Sequence, residues 1–339
     1  MPTRLIDLHV DWLLQYAPDS SAFDPARYPN IKDRLPQAAG YLQATRAAIL
    51  ACYRAADEWA DRPDPWAALV ELIARIEAEF AGRLLIGVDD FDRWEDDQAG
   101  MTWGIVGVEG FDPLIRATAD LDRLAPLFER GVRLFQPVYT STTLLGGSSA
   151  PGDDRGLTDL GRAFLDALLA AVPADSPRSP RALLDLAHLN PATSGDVLAW
   201  YEADPARAER LIPIYSHGAP VHAGFDAPRA LPVEHLRRLR ALGGYVGVSV
   251  SPPFFGSIEE VEAAIRMIAE IPWKGEAGMR GIGIGTDFLG INETLPRLGD
   301  AEQVIKWAFQ RFGKADANAL LHDGPRGLIA AITGATHLA

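Results

Sequence analysis

The stretch "GLTDLGRAFLDALLAAVPADSPRSPRALLDLAH", residues 156–188, holds one complete unit of the fold. Thr158 stands before Asp159 as a capping residue, and the apolar positions after it recur at helical spacing. The Pro- and Ser-rich "PADSPRSPR" (173–181) reads as a surface connection. "ALLDLAH" (182–188) is a short apolar run of strand type that closes on a histidine. A helix that leads back into a strand of this kind argues for parallel pairing with helical crossovers.

The same alternation extends in both directions. Strand-like runs are "WGIVGVEG" (103–110), "VRLFQPVY" (132–139), "LIPIYSH" (211–217), "YVGVSVS" (245–251) and "GIGIGTD" (281–287). Between them lie helical patterns such as "VEHLRRLRAL", "IEEVEAAIRMIAEI", which Ser257 caps, and "AEQVIKWAFQRF". With "LIDLHVDWLL" (5–14) near the start, seven strands are legible. An eighth is expected within "GYLQATRAAILACY" (40–53), in preference to "RLLIGVDD" (83–90). The expected fold is α/β, a (β/α)8 TIM-type barrel with an N-terminal helical insertion from about Ala17 to Trp94. Residues 1–339 are expected to form one domain.

Composition narrows the function classes. The chain has 339 residues, 48% of them hydrophobic, enough for a large core. A net charge of −14 without basic runs argues against nucleic acid and against an anionic membrane surface. Cys52 is the one cysteine, so no internal disulfide forms. No apolar run approaches the ~20 residues of a membrane span, and the N-terminus reads as a strand and not as a leader, so a cytoplasmic location is expected.

The strand ends carry the chemistry. His9, Asp11, Glu109, Tyr139, His188, His217 and Asp287 all fall at or just past the C-terminal ends of the apolar runs. In a barrel those ends converge on one mouth. In the first run Asp7, His9 and Asp11 are spaced by two, which places them on one strand face. Three imidazoles and two carboxylates (His9, Asp11, Glu109, His188 and His217) suit zinc or another divalent metal. Five ligands exceed one catalytic site, so two metals are expected, with Glu109 shared between them. A water beneath two such ions ionises near neutral pH. Asp7 and Asp185 are expected in hydrogen bonds within the barrel. His222, His235, His322 and His337 are expected at the surface, with His222 near enough to the sixth strand end to touch substrate. The loop "GGSSAPGDDRG" (146–156) stands where a barrel enzyme keeps a lid.

"IDLHVD", "GIVGVEG", "GVRLFQPVYTSTTLLGG", "GLTDLGRAFLDALL", "LLDLAHLNPAT", "IPIYSHGAP" and "GIGIGTDF" occur in the order and near the spacing of the renal (membrane) dipeptidase family of zinc metallopeptidases, within the amidohydrolase superfamily. The chain resembles that family over nearly its whole length. The resemblance implies that His9, Asp11 and Glu109 hold one zinc, and Glu109, His188 and His217 the other. It implies that Asp287 is the acid/base group and that Arg229, in "APRALPVEHL", binds a dipeptide's C-terminal carboxylate. The sequence departs from the pattern at three places. Tyr139 stands where the family has a histidine at the scissile carbonyl, and a phenol there is expected to contact substrate and donate to the oxyanion. Leu289 replaces an aspartate, and "DGPRGL" (323–328) alters an asparagine-arginine ending. The implied activity is that of a two-zinc metallohydrolase cleaving a dipeptide or similar small amide by a metal-bridging hydroxide. The alternatives are an amidohydrolase acting on an N-acyl amino acid, lactone or ester, and a catalytically silent metal-binding homologue. The expected partner is a dipeptide or other small molecule, with a homodimer left open.

Overall fold

The computed structural model describes residues 3–335 apart from 19–22, 56, 57, 60, 141–143, 175 and 177. Eight parallel strands close into a barrel in sequence order. They are β1 (Leu5–Val10), β2 (Thr45–Cys52), β3 (Trp103–Glu109), β4 (Val132–Gln136), β5 (Ala182–Asp185), β6 (Leu211–Tyr215), β7 (Tyr245–Val248) and β8 (Ile282–Ile284). Asp7 pairs with Ile284 to close the ring. The strand expected within 40–53 is β2, whereas Leu84 of the rejected segment makes only an isolated bridge to Gly104.

The helices begin where the caps stand. Thr158 Oγ1 accepts from Gly161 N at the head of Asp159–Ala171, and Ser257 Oγ accepts from Glu260 N at the head of Ile258–Glu270. Asn190 does the same for Pro191–Ala203, which starts three residues after His188. Side chains from alternate strand positions divide between two clusters. Val106, Val108, Phe135, Leu184, Val246 and Ile284 pack outward against helices such as Asp159–Ala171. Ile6, Leu8, Ile49, Ile105, Leu183 and Ile212 fill the interior. This division is the period-two rule of strands applied to a closed sheet.

The helical insertion is split by β2. Before it come the short turns Ile31–Arg34, Leu35–Ala38 and Tyr41–Ala44, and after it the helices Pro65–Glu79 and Val88–Asp96. β4 stops at Gln136, because Pro137 has no N–H to continue the ladder. Among the described residues no helix is long and apolar enough to cross a membrane.

β1 departs from strict alternation. Its pairing with β2 shifts register between Asp7 and Val10. Leu8 lies in the interior cluster, yet His9 also reaches the barrel mouth. Asp7 does not share the site with His9 and Asp11. Its carboxylate accepts from Tyr41 Oη (2.7 Å), Thr286 Oγ1 (2.6 Å) and Thr286 N (2.9 Å). The expectation of one common face for all three residues is corrected by this bulge, which re-aims the strand end.

Candidate metal and substrate site

His9, Asp11, Glu109, His188, His217 and Asp287 meet at the C-terminal mouth. Glu109 ends β3 and lies between the histidines. Its Oε1 is 3.2 Å from His188 Nε2 and 3.6 Å from His217 Nε2, while its Oε2 is 3.6 Å from His9 Nε2. Among the described residues, two groups of ligand-type atoms lie close enough together to share an ion: His9, Glu109 and His217, and His9, Asp11 and Asp287. Asp287 thus stands close enough to be a ligand as well, with Oδ1 4.0 Å from His9 Nε2.

The His217 imidazole is aimed by its neighbours. Asp185 accepts from Ser216 N (3.0 Å) and Ser216 Oγ, and Ser216 Oγ lies 2.8 Å from His217 Nδ1. Because the serine donates to Asp185, it accepts the proton of His217 Nδ1, which leaves Nε2 a lone pair facing the site. That Nε2 is 3.2 Å from His188 Nε2. Ser216 can lie so far inward because Gly247 and Gly285 stand beside it, where a Cβ would collide with Ser216 O. His188 and Asp287 both have positive φ, 66° and 57°. Neither is glycine, and strained backbone of this kind is typical where a side chain must be aimed. Ser149 N donates to His188 O at 2.8 Å, so the 146–156 loop is tied to the residue it overhangs.

The electrostatics call for a cation. Burial lowers His188 and His217 well below the usual histidine range, so both are neutral. Burial raises Glu109 to about 8, against the pull of the Arg229 charge. Burial raises Asp287 to about 7, against the pull of His9. Asp11 is pushed well up by burial and then by Glu109. His9 Nε2 and Asp11 Oδ1 are buried without a hydrogen-bond partner among the described residues. Orphaned donor atoms, neutral imidazoles and crowded carboxylates fit a divalent metal, which supplies the missing charge and satisfies the lone pairs.

The substrate-side residues surround this centre. Tyr139 packs on His188 with ring centroids 4.2 Å apart, and its backbone N donates to Asp112 Oδ1 at 3.1 Å. Arg229 extends one Nη1 towards His217 O (3.5 Å) and stacks 5.4 Å above Phe254. Tyr215 Oη donates to Arg229 O at 2.8 Å. A cleft lined by Asp153, Asp154, Pro191, Asp226 and Pro228 opens between the 146–156 loop and the segment leading into Arg229. His222 hydrogen-bonds to Phe254 O (2.9 Å), while half-buried His235 and His322 pair with Ser194 and Asp323. His337 lies outside the described residues.

Sequence reasoning missed Tyr53 and Ser216. Tyr53 follows β2 and packs on Tyr139 with ring centroids 5.0 Å apart. Its place one residue beyond a strand end was the available signal.

Such a donor set at the mouth of a parallel barrel defines the class as a metal-dependent hydrolase. Residues 3–311 match the membrane dipeptidase family (peptidase family M19). The chain belongs to that family, whose activity is metallodipeptidase hydrolysis. Solved structures agree on the fold. Dipeptidase AC, a metallopeptidase of family M19, superposes with a TM-score of 0.70 at 20% identity, covering 98% of this chain and 100% of that one. A metallopeptidase from Rhodobacter sphaeroides, bound to a phosphinate mimic of L-Ala-D-Ala, gives 0.68 at 19% identity with coverage of 98% and 100%. The probable dipeptidase PvdM from Pseudomonas aeruginosa gives 0.67 at 15% identity, with coverage of 99% and 96%. No curated protein matches the chain.

Proposed function

We propose that this chain is a two-zinc dipeptidase. The observation that carries the reading is the orientation of Glu109, whose two oxygens face different histidines. An imidazole has one lone pair to give and cannot bridge, whereas a carboxylate can. His9, Asp11 and Glu109 would hold one ion, and Glu109, His188 and His217 the other. Bound there, the metals supply a Lewis acid and a water of lowered pKa.

The chain's own groups do the rest. Arg229 presents a guanidinium fork that suits a dipeptide's C-terminal carboxylate. Asp287 takes up a proton at its carboxylate and returns one to the leaving amine. Tyr139 donates its phenolic hydrogen to the developing oxyanion. Burial raises this phenol well above 10, with Tyr53 adding to the effect, so it remains a donor throughout the working range.

Metal analysis combined with a panel of dipeptides, N-acyl amino acids and lactones tests the reading. Two equivalents of zinc and dipeptide turnover are expected. Turnover confined to the acyl amino acids or lactones would move the assignment to another amidohydrolase. No turnover on a metal-loaded protein would leave a silent homologue.

Tyr139→Phe removes one oxyanion donor, so kcat should fall by up to about 10²–10³ with metal content unchanged. A silent Tyr139→Phe, together with dipeptide cleavage improved by Tyr139→His, would instead make Tyr139 a determinant of substrate choice.

Proton competition sets the pH behaviour. At pH 6 a metal must displace protons from carboxyls held up at about 7 and about 8. Zinc retained against a fixed amount of chelator should therefore decline as pH is lowered from about 8 to about 6. In the metal-free protein the same groups bind protons that the unfolded chain has already released at 3.8 and 4.5. Below about 6.5 the neutral His188 and His217 act with the opposite sign, because their unfolded forms bind protons there. Above it the two carboxyls decide the trend, so stability falls as pH rises from about 6.5 to about 8. Thermal melts in chelator check the sign, and a midpoint that climbed across that window would contradict it.

A further inference from the structure

The turn after β8 carries Asp287 and is held from outside. Asp287 (φ 57°) and Leu289 (φ 70°) both adopt left-handed backbone. At Gly290 a Cβ would collide with Asp11 Oδ2 and Asp287 Oδ1, so the turn lies directly against both carboxylates. Within the turn, Gly290 N (3.1 Å) and Ile291 N (3.0 Å) donate to Asp287 O. Leu289 is fully buried and apolar, so its own side chain gives the turn no hydrogen bond.

Two residues before β2 meet those backbone groups. Gln37 Oε1 accepts from Leu289 N (2.6 Å), and Gln37 Nε2 donates to Ile291 O (3.2 Å). Arg34 Nη1 donates to Leu289 O (2.9 Å) and Gly290 O (3.0 Å), and its Nη2 donates to Asn292 Oδ1 (2.6 Å). Gln37 is buried, so its bonds are shielded from water. The Arg34 charge also acts favourably on the ionised forms of Asp11 and Asp287.

We propose that Arg34 and Gln37 are positioning residues that clamp the 287–292 turn and thereby aim the Asp287 carboxylate. Neither touches the reacting atoms. Their effect on turnover rests on the reading of Asp287 as the proton carrier. The helical segment between β1 and β2 is thus part of the catalytic apparatus, through five hydrogen bonds from two side chains.

The variants Gln37→Met, Arg34→Met and Arg34→Lys test this in the metal-loaded full chain. Amide hydrogen exchange at Leu289 and Ile291 is measured alongside kcat, KM and metal content. Both Met variants should exchange faster at the turn and lose kcat by about 10–10²-fold, the effect of misplacing a catalytic group by about 1 Å. KM should change by less than about threefold, with metal content unaltered. Arg34→Lys keeps one donor and should fall in between. Wild-type exchange, or faster exchange with wild-type kcat, overturns the proposal. So does a kcat that declines only in step with metal content or folded fraction. Failure of the dipeptidase reading looks different: the unaltered protein then cleaves no panel substrate, and exchange alone decides whether the clamp exists.

Discussion

Asp287→Asn is expected to keep its metal and to lose turnover by about 10²–10⁴-fold, the usual worth of a general acid/base. The two side chains have nearly the same shape, so the turn that Gly290 packs against Asp11 has no steric reason to move. What disappears is the capacity to accept a proton. In the metal-free protein burial raises this carboxyl to about 7, a direction that favours proton uptake. The variant also separates two roles that the geometry brings together, since Asp287 lies in one of the two groups of possible ligand atoms. Metal analysis and single-turnover kinetics on the same sample distinguish them. Loss of one metal equivalent would make Asp287 a ligand, and unchanged turnover in a fully loaded variant would remove it from the mechanism.

Glu109→Gln should lower metal content and activity together. A neutral amide can still offer an oxygen, but it lacks the charge that would hold two cations, and it cannot face both groups of histidines with equivalent oxygens. The carboxylate is 3% exposed, so solvent cannot replace what is lost. On the two-zinc reading, removing this anion should cost at least the 10–100-fold in metal affinity typical of losing a supporting group. Titration with zinc, followed by activity at each stoichiometry, checks this. Wild-type zinc content with full activity would exclude Glu109 as a shared ligand.

The barrel itself was legible in the chain because its signals are local. Thr158 and Ser257 announce helix starts within three residues, and the apolar runs of β3 to β8 need no distant partner to be recognised. Closure of eight such units gathers the strand ends, so His9, Asp11, Glu109, His188, His217 and Asp287 could be grouped before any contact was known. The tertiary structure decided what crosses between units. A register shift in β1 separates Asp7 from His9, although their spacing implies a common face. Tyr53 becomes the neighbour of Tyr139 only because β2 stands near β4 at the mouth. Arg34 and Gln37 lie in a stretch of short helical turns with no chemical signature, and they meet residues 289–292 only once β1 and β8 have paired. Periodicity and capping act over a few residues, whereas the aim of a side chain depends on which distant backbone groups need a hydrogen-bond partner in the closed fold.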